Sequence, residues 1–444
     1  MFSRSELKKL IVPLVIEQIL AVTVGMADTM MISRCGEAAV SGIALVDAIN
    51  ILIIGLFSAL ATGGAVVAAQ YIGHKEPKKA CEAADQLFLA IAGLSAIFMG
   101  VALILNRQIL SLVYGGIESD IMRNARIYFY ITAASFPFIA LYNAGAALFR
   151  VMGNSKVSMK VSLWMNIVNV VGNAILIWGF HMEVAGAGTA TLLSRMMAAI
   201  MVMMLLRKKD YIIHIKSDFK VRYEPKMVAR ILRIGIPNGL ENSIFQLGKI
   251  LVVGLIATYG EVGIAANSVA NTISSFEVIP GSAIGLAMIT VVGQCVGAMD
   301  LKQAMQYTKR LLKIAYIALL GLNIAVLLLL NPICELYHLS DQTAQLVREL
   351  TIYHSLCCII IWPASFTLPN ALRAANDVKF TMIVSISSMW IWRIAFSYVL
   401  AKACNLGVLG VWIAMTIDWA FRAICFTTRF LKGGWRKHAT MQKA

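Results

Sequence analysis

Residues 70–80 read QYIGHKEPKKA, and residues 294–304, which lie 224 positions later, read QCVGAMDLKQA. The same offset relates four more pairs: Pro13 and Pro237, Glu17 and Glu241, Gly36 and Gly260, Glu37 and Glu261. Three later pairs complete the repeat, the first two at an offset of 223 and the third at 224: Arg150 and Arg373, Lys156 and Lys379, Gly186 and Gly410. A repeat of this length, nearly free of gaps, predicts two structurally equivalent halves.

The composition places these halves in a membrane. Of the 444 residues, 59% are hydrophobic and only 14% are charged, whereas soluble domains carry about 25% charged residues. Apolar runs long enough to cross about 30 Å of hydrocarbon as helices occur near 10–33, 42–70, 86–106, 127–149, 157–180, 184–206, 232–258, 266–294, 311–331, 350–372, 380–402 and 406–430. The sequence therefore predicts an all-α integral membrane protein with twelve transmembrane helices in two six-helix bundles.

The distribution of basic residues predicts the orientation and the domains. Loops on one side, together with both termini, carry 29 Lys and Arg, the other side carries 6, and four lie inside spans. This asymmetry places both termini in the cytoplasm. Because six spans is an even number, the two halves run in the same sense as a parallel repeat. We expect a first lobe of residues 1–206, a basic cytoplasmic linker of 207–231, and a second lobe of 232–444 that ends in a short cytoplasmic tail.

Several other classes of protein are disfavoured. The excess of basic residues follows the sidedness of the loops, so it does not indicate a nucleic-acid partner. Eight scattered cysteines predict neither disulfides nor a zinc site. The first apolar run is too long for the core of a cleavable signal peptide, and no H-E-x-x-H motif suggests an enzyme. A repeated apolar chain of this kind is typical of a transporter with its substrate path between the lobes.

The first half contains charges that a membrane span disfavours. Glu17 and Asp28 are eleven residues apart in span 1, so they share a helical face at a separation of about 16 Å. Asn169 and Asn173 share a face of span 5, and Thr191 lies in span 6.

The only intramembrane cation that we assign to this half is Arg195. Unless Asp28 pairs with Arg195, a carboxylate with little solvation must recruit a proton or a metal cation. Glu17 has the counterpart Glu241 in the repeat, whereas Asp28 corresponds to Val252. Asp28 is thus specific to one half and is our first choice for a coupling site.

Inside its predicted spans, away from their ends, the second half carries three acids and three bases. The acids are Glu241, Glu277 and Asp418, and the bases are Lys249, Arg393 and Arg422. Asp418 and Arg422 are spaced for an i, i+4 ion pair. The six charges either neutralise one another or contact the substrate, with Glu241 and Glu277 as candidates for binding a cationic one. Glu277 also lies three residues before Pro280, where a helix is expected to bend.

An ordered set of motifs resembles the multidrug and toxic compound extrusion (MATE) transporters. The motifs are Ala27-Asp28-Thr29-Met30-Met31, Gly36-Glu37-Ala38-Ala39, Arg150-Val151-Met152-Gly153-Asn154 and Gly186-Ala187-Gly188-Thr189-Ala190-Thr191. With the repeat, the resemblance covers residues 8–432.

The resemblance implies a V-shaped pair of bundles in the plasma or inner membrane and export of organic, often cationic, compounds by alternating access. Inward flow of H⁺ or Na⁺ drives that export, no other cofactor is implied, and we expect a monomer. Asp28 matches the family's first-span aspartate, and Asn169 and Asn173 match the span-5 pair beside it. These three residues are the candidate Na⁺ ligands. We add Glu17 and Thr191 to this cation or proton site.

Two departures leave the branch and the coupling ion open. The DinF-like branch usually has aspartate at the position of Asn173. The NorM-like acid of span 7 falls near Phe245 or Gln246, whereas here the acid is Glu241. The alternative function is a flippase or exporter of a lipid-linked or anionic substrate. That alternative predicts Lys249, Arg393 and Arg422 exposed to a cavity.

Overall fold

A computed structural model describes residues 2–215 and 223–439, and these consist of helices joined by short turns and loops. Helices satisfy all backbone hydrogen bonds internally, which hydrocarbon requires. The first helix begins with a capping box, in which Ser3 Oγ accepts from the Glu6 amide at 3.1 Å and the Glu6 carboxylate accepts from the Ser3 amide at 2.6 Å.

Eight α-helices precede the central linker. They are α1 (Arg4–Ile32), α2 (Glu37–Gly73), α3 (Pro77–Ile104), α4 (Asn106–Tyr114), α5 (Ser119–Ala134), α6 (Phe136–Val151), α7 (Ser155–Asn173) and α8 (Glu183–Leu206). A π-helical segment, Ala174–Gly179, continues α7.

Nine α-helices follow the linker. They are α9 (Pro225–Ala257), α10 (Gly260–Glu277), α11 (Ile279–Gly297), α12 (Leu301–Leu336), α13 (Asp341–Trp362), α14 (Leu368–Ala374), α15 (Val378–Ser388), α16 (Phe396–Tyr398) and α17 (Gly407–Leu431). Three π-helical segments join neighbouring helices: Pro363–Thr367, Met389–Ala395 and Val399–Ala403.

The described residues contain twelve candidate membrane spans if a bent pair of helices is counted as one. Eleven segments are long and apolar enough to cross a bilayer, and α5 and α6, bent by 47° at Ser135, form the twelfth. Pro137 lies in the first turn of α6, where the missing N–H favours a break. The predicted all-helical fold with twelve spans is confirmed.

The predicted eighth span, 266–294, is interrupted in the structure. Helix α10 ends at Glu277, Val278 intervenes, and α11 begins at Ile279 just before Pro280. The proline expected to bend this span therefore lies at a helix boundary, and the acid expected at the bend is the last residue of α10.

In each half, one long apolar helix packs against several other helices of the same half. Helix α2 packs against α3, α5 and α6, and α11 packs against α12 and α14. Both end at the repeated Gln-x-x-Gly sequence, at Gly73 and Gly297. Their buried faces are rich in Gly and Ala, and small residues let helices approach closely in lipid.

A π-helical insertion explains the change of repeat offset. Residues 389–395 are π-helical, whereas the corresponding residues of the first half lie within the regular helix α7. A π segment accommodates one extra residue, which converts the offset of 223 before it to 224 after it.

Two glycine contacts show that the offset of 224 holds beyond this insertion. A Cβ on Gly186 would lie 3.1 Å from the Leu176 carbonyl carbon, and one on Gly410 would lie 2.8 Å from that of Leu400. Both the glycines and their neighbours are thus related by 224 positions.

Contacts divide the chain into two compact units, Phe2–Gly239 and one that begins at Leu240. The division lies inside α9, whose first part belongs to the first unit. There a Cβ on Gly63 would lie 2.7 Å from the Ile231 carbonyl oxygen, so glycine is required for the close approach of α2 and α9. Part of the predicted linker 207–231 is helical from Pro225, and residues 216–222 lie outside the described residues.

Candidate functional site

The structure brings Asp28 of α1 against two amides of α7. Asn173 Nδ2 donates to Asp28 Oδ1 at 2.8 Å. With the Asn169 amide oriented to satisfy both groups, its nitrogen lies 2.7 Å from Asp28 Oδ1 and 3.1 Å from Oδ2. Because residues four apart share a helical face, the spacing of the two asparagines aims both at one carboxylate. The predicted grouping of these three side chains therefore occurs in the structure.

Asp28 does not form an ion pair with Arg195. Arg195 donates to Ser135 Oγ at 2.8 Å, and within residues 2–215 and 223–439 no Lys, Arg or His nitrogen lies within 4 Å of the Asp28 carboxylate. Arg195 still acts favourably on Asp28 through space, while a second acid, Asp47 of α2, acts unfavourably. The sequence-based site does not include Asp47. The sequence signal for it is an acidic residue near the start of the second apolar run, 42–70.

Thr191 lies on the other side of Asn169. The Thr191 hydroxyl donates to the Ala187 carbonyl at 3.0 Å, and its oxygen lies 3.3 Å from the Asn169 amide. Asn173 Oδ1 is buried without a hydrogen-bond partner. The described residues contain no group of three or more His, Cys, Asp or Glu placed to hold a metal. A bound Na⁺ would therefore need the amide oxygens of Asn169 and Asn173 turned toward it.

Glu17, predicted at the same site, has a different environment. Its Oε1 lies 2.7 Å from a guanidinium nitrogen of Arg150, and its Oε2 accepts from Ser158 at 2.9 Å. Arg150, at the end of α6, is thus the cation that contacts Glu17. That Arg195 is the only intramembrane cation of the first half stays a prediction.

Glu241 reproduces this arrangement in the second unit. Its Oε1 lies 2.7 Å from a guanidinium nitrogen of Arg373. Glu17 and Arg150 correspond to Glu241 and Arg373 in the repeat, so each half contains the same ion pair. A pair common to both halves points to a role in the shared scaffold.

Asp418 is the centre of the other charges predicted in the second unit. Its Oδ1 accepts from Arg422 Nε at 2.8 Å and from the Ser388 hydroxyl. Its Oδ2 lies 3.8 Å from a nitrogen of Arg393. Three groups thus converge on a carboxylate that is fully buried.

Glu277 is enclosed rather than placed in a cavity. Its carboxylate contacts His354 Nδ1 and the Ser355 hydroxyl, and the three residues are buried. The His354 ring packs edge-on against Trp412 and Trp419, with centroids 5.5 and 5.2 Å apart. Sequence reasoning missed His354, because nothing in the sequence relates span 10 to the end of α10.

Lys249 is the remaining predicted charge, and it is the exposed one. In the described part of the chain no carboxylate lies within 4 Å of its ammonium. Its Nζ lies 5.1 Å from the centroid of the Phe245 ring, which also contacts Arg393 and Arg422 at 5.2 and 5.3 Å. Lys249 and Arg393 both line a cavity of about 240 Å³.

Twelve candidate spans, an internal repeat and a half-buried carboxylate that accepts hydrogen bonds from two amides characterise the described residues. The family model MatE matches the chain twice, at residues 13–175 and 237–399. Both ends of the second match lie 224 residues after those of the first, which is the offset of the internal repeat. The chain belongs to the MatE family and is a transporter rather than an enzyme.

Curated relatives cover nearly the whole chain. The uncharacterized transporter YisQ of Bacillus subtilis (strain 168) is 26% identical, over 97% of this chain and 94% of its own length. The probable multidrug resistance protein NorM of Thermotoga maritima is 25% identical, over 99% of this chain and 95% of its own length.

Solved structures share the fold. One described as an outward-facing conformation of a multidrug resistance MATE family transporter has a TM-score of 0.90 at 20% identity, covering 97% of this chain and 96% of that one. Another, a MATE in a bent conformation, has a TM-score of 0.88 at 20% identity, covering 99% and 97%.

Proposed function

We propose that this protein is an antiporter that exports small organic compounds by alternating access, driven by inward flow of H⁺ or Na⁺. Asp28 is the coupling carboxylate. The relatives named as multidrug resistance proteins support this type of substrate. We further propose that it works as a monomer in the plasma membrane with both termini in the cytoplasm.

The observation that carries the proposal is the environment of Asp28. Two neutral amides hold the carboxylate, and no Lys, Arg or His among the described residues forms an ion pair with it. A carboxylate in a span without a paired cation is unfavourable by several kcal/mol. Binding of a proton or cation relieves that cost, so the energy of the site depends on ion loading.

Loading drives transport only if the ion binds the outward and inward states with different affinity. The ion affinity differs between the two states if movement of α7 against α1 changes the distance of the Asn169 and Asn173 amides from Asp28. Thr191 borders the site, because its hydroxyl oxygen lies 3.3 Å from the Asn169 amide. Glu17 supports the scaffold rather than the ion, because Arg150 already neutralises it.

The coupling role of Asp28 is tested by the substitution Asp28→Asn. An isosteric amide binds neither H⁺ nor Na⁺ strongly, so ion-driven efflux of ethidium or norfloxacin is expected to fall to the level of empty proteoliposomes. Liposomes with separately imposed H⁺ and Na⁺ gradients identify the ion from the wild-type protein.

The matched control is Asp120→Asn, which makes the same change at an exposed position of α5. The control is expected to transport like the wild type. Near wild-type efflux by the Asp28→Asn protein, at equal reconstitution, would remove Asp28 from the mechanism.

The alternative function, export of a lipid-linked or anionic substrate, is favoured by Lys249 but not by Arg422. Lys249 is exposed, whereas Arg422 is buried against Asp418. Two of the three cations needed for that function, Lys249 and Arg393, remain facing a cavity.

A further inference from the structure

The cavity beside Lys249 lies entirely within the second unit. It has a volume of about 240 Å³, and among the residues that the structure describes no acid lines it. Its polar lining comes from three elements: Lys249 of α9, Asn267 and Asn271 of α10, and Arg393 of the π-helical segment. Trp412 of α17 and several aliphatic side chains complete the wall.

The positive charges at this cavity exceed the negative ones. Lys249, Arg393 and Arg422 surround the Phe245 ring, and Asp418 contacts the two arginines but not Lys249. Asp418 holds Arg422 at 2.8 Å but lies 3.8 Å from Arg393. Arg393 Nε is buried without a hydrogen-bond partner. Unpaired cations inside spans are unfavourable, so they usually mark a ligand site.

Asn267 adds a neutral donor. Its Oδ1 accepts from Trp412 Nε1 at 3.1 Å, which orients the amide. In the described chain its Nδ2 has no hydrogen-bond partner, and Asn267 lines the cavity. The cavity therefore presents an ammonium, a guanidinium and an amide N–H₂, all of which donate.

The repeat places this cavity at the position equivalent to the Asp28 site. At the offset of 224, three positions of the first half correspond to cavity-lining positions of the second: Gly25 to Lys249, Asp28 to Val252, and Asp47 to Asn271. Arg393 lies inside the π-helical insertion, where the offset changes from 223 to 224. Both acids of the first site are replaced by uncharged residues, and two cations are added. The two halves thus offer equivalent positions with opposite charge.

We propose that the cavity binds the anionic group of a small amphipathic molecule, a carboxylate carried on an aromatic ring. A guanidinium and an ammonium form strong hydrogen bonds with a carboxylate, and Trp412 offers a ring surface. A cavity of about 240 Å³ is smaller than the 300–1,000 Å³ typical of drug-sized ligands. It holds the charged end of the ligand while the remainder extends outward. The site rests on the second unit alone and is independent of the coupling role of Asp28.

The test is calorimetric titration of the full-length protein in phosphatidylcholine nanodiscs with 1-naphthoate and its uncharged isostere 1-naphthamide. We expect naphthoate to bind at least about tenfold more tightly than naphthamide, because a hydrogen bond to a charged group is stronger than one to a neutral group. Lys249→Gln is expected to weaken naphthoate binding about tenfold. Val252→Asp, which restores the acid of the first half, is expected to abolish it.

The matched control is Lys402→Gln, which removes an exposed lysine outside the cavity and is expected to bind naphthoate like the wild type. Equal affinities for naphthoate and naphthamide, or no change in Lys249→Gln, would overturn the proposal. A lipid phosphate is the other source of an anion for this site. Loss of naphthoate binding in phosphatidylglycerol nanodiscs would assign the cavity to a lipid headgroup, whereas retained binding supports a soluble ligand.

Discussion

Carboxylates that face the interior of this protein differ in the groups that contact them. Glu17 and Glu241 each contact an arginine at 2.7 Å, and Asp418 contacts Arg422 at 2.8 Å. Asp28 instead accepts hydrogen bonds from amides. An amide stabilises a carboxylate without cancelling its charge, so Asp28 retains the attraction for a small cation that the other acids have lost. This difference supports separating scaffold acids from the coupling acid.

The scaffold role of Glu17 predicts a loss of stability in Glu17→Gln. The substitution removes the carboxylate charge that the largely buried Arg150 contacts, and breaking a buried ion pair costs about 3–5 kcal/mol. Because the repeat supplies an equivalent pair, Glu241→Gln is expected to lower thermal stability in detergent by a similar amount.

The control for both variants is Glu37→Gln, an exposed position at the start of α2, which is expected to leave the unfolding temperature nearly unchanged. Wild-type stability of Glu17→Gln together with loss of ion coupling would place Glu17 in the transport site instead.

At the scale of elements, glycines at equivalent positions of the repeat allow a helix to pack closely against the helical segment that precedes it. Gly410 lies in the first turn of α17 and faces the backbone of the π-helical segment that precedes it. A Cβ there would meet three backbone atoms of Leu400 and Ala401 at 2.8–3.0 Å. The equivalent contacts of Gly186 with Leu176 and Ile177 are 3.1–3.2 Å. Backbone atoms cannot rotate away, so an added methyl group must separate the elements.

Gly410→Ala is therefore expected to lower the free energy of unfolding by roughly 1–3 kcal/mol, as at other overpacked sites. The loss in Gly186→Ala is expected to be smaller. Thermal unfolding in detergent measures both. Gly100→Ala in α3 is the control, because nothing lies within 4 Å of an added Cβ there. Alanine is favoured over glycine in a helix by up to about 1 kcal/mol, so Gly100→Ala is expected not to lose stability. A loss equal to that in Gly410→Ala would contradict the packing argument.

At the scale of the whole molecule, charge sidedness predicts that both termini face the cytoplasm, with 29 Lys and Arg on that side against 6 on the other. A green fluorescent protein fused to the C-terminus is expected to fluoresce in cells, because it folds in the cytoplasm but not after export in unfolded form. An alkaline phosphatase fusion at the same point is expected to be inactive. The reverse pattern would invert the topology and the direction assigned to ion flow.

The sequence by itself determined the fold class, the twelve spans and the repeat, because span length and the spacing of equivalent residues are properties of the chain alone. It also placed Asn169 and Asn173 on one helical face, since spacing within one helix decides which residues share a face. The resemblance to MATE transporters, rather than spacing, implied that Asp28 lies beside them. It could not pair Glu17 with Arg150, or Glu277 with His354, because those partners lie on different helices. Tertiary packing alone decided which charges are neutralised, and it left Asp28 without an ion-pair partner and Lys249 beside a cavity.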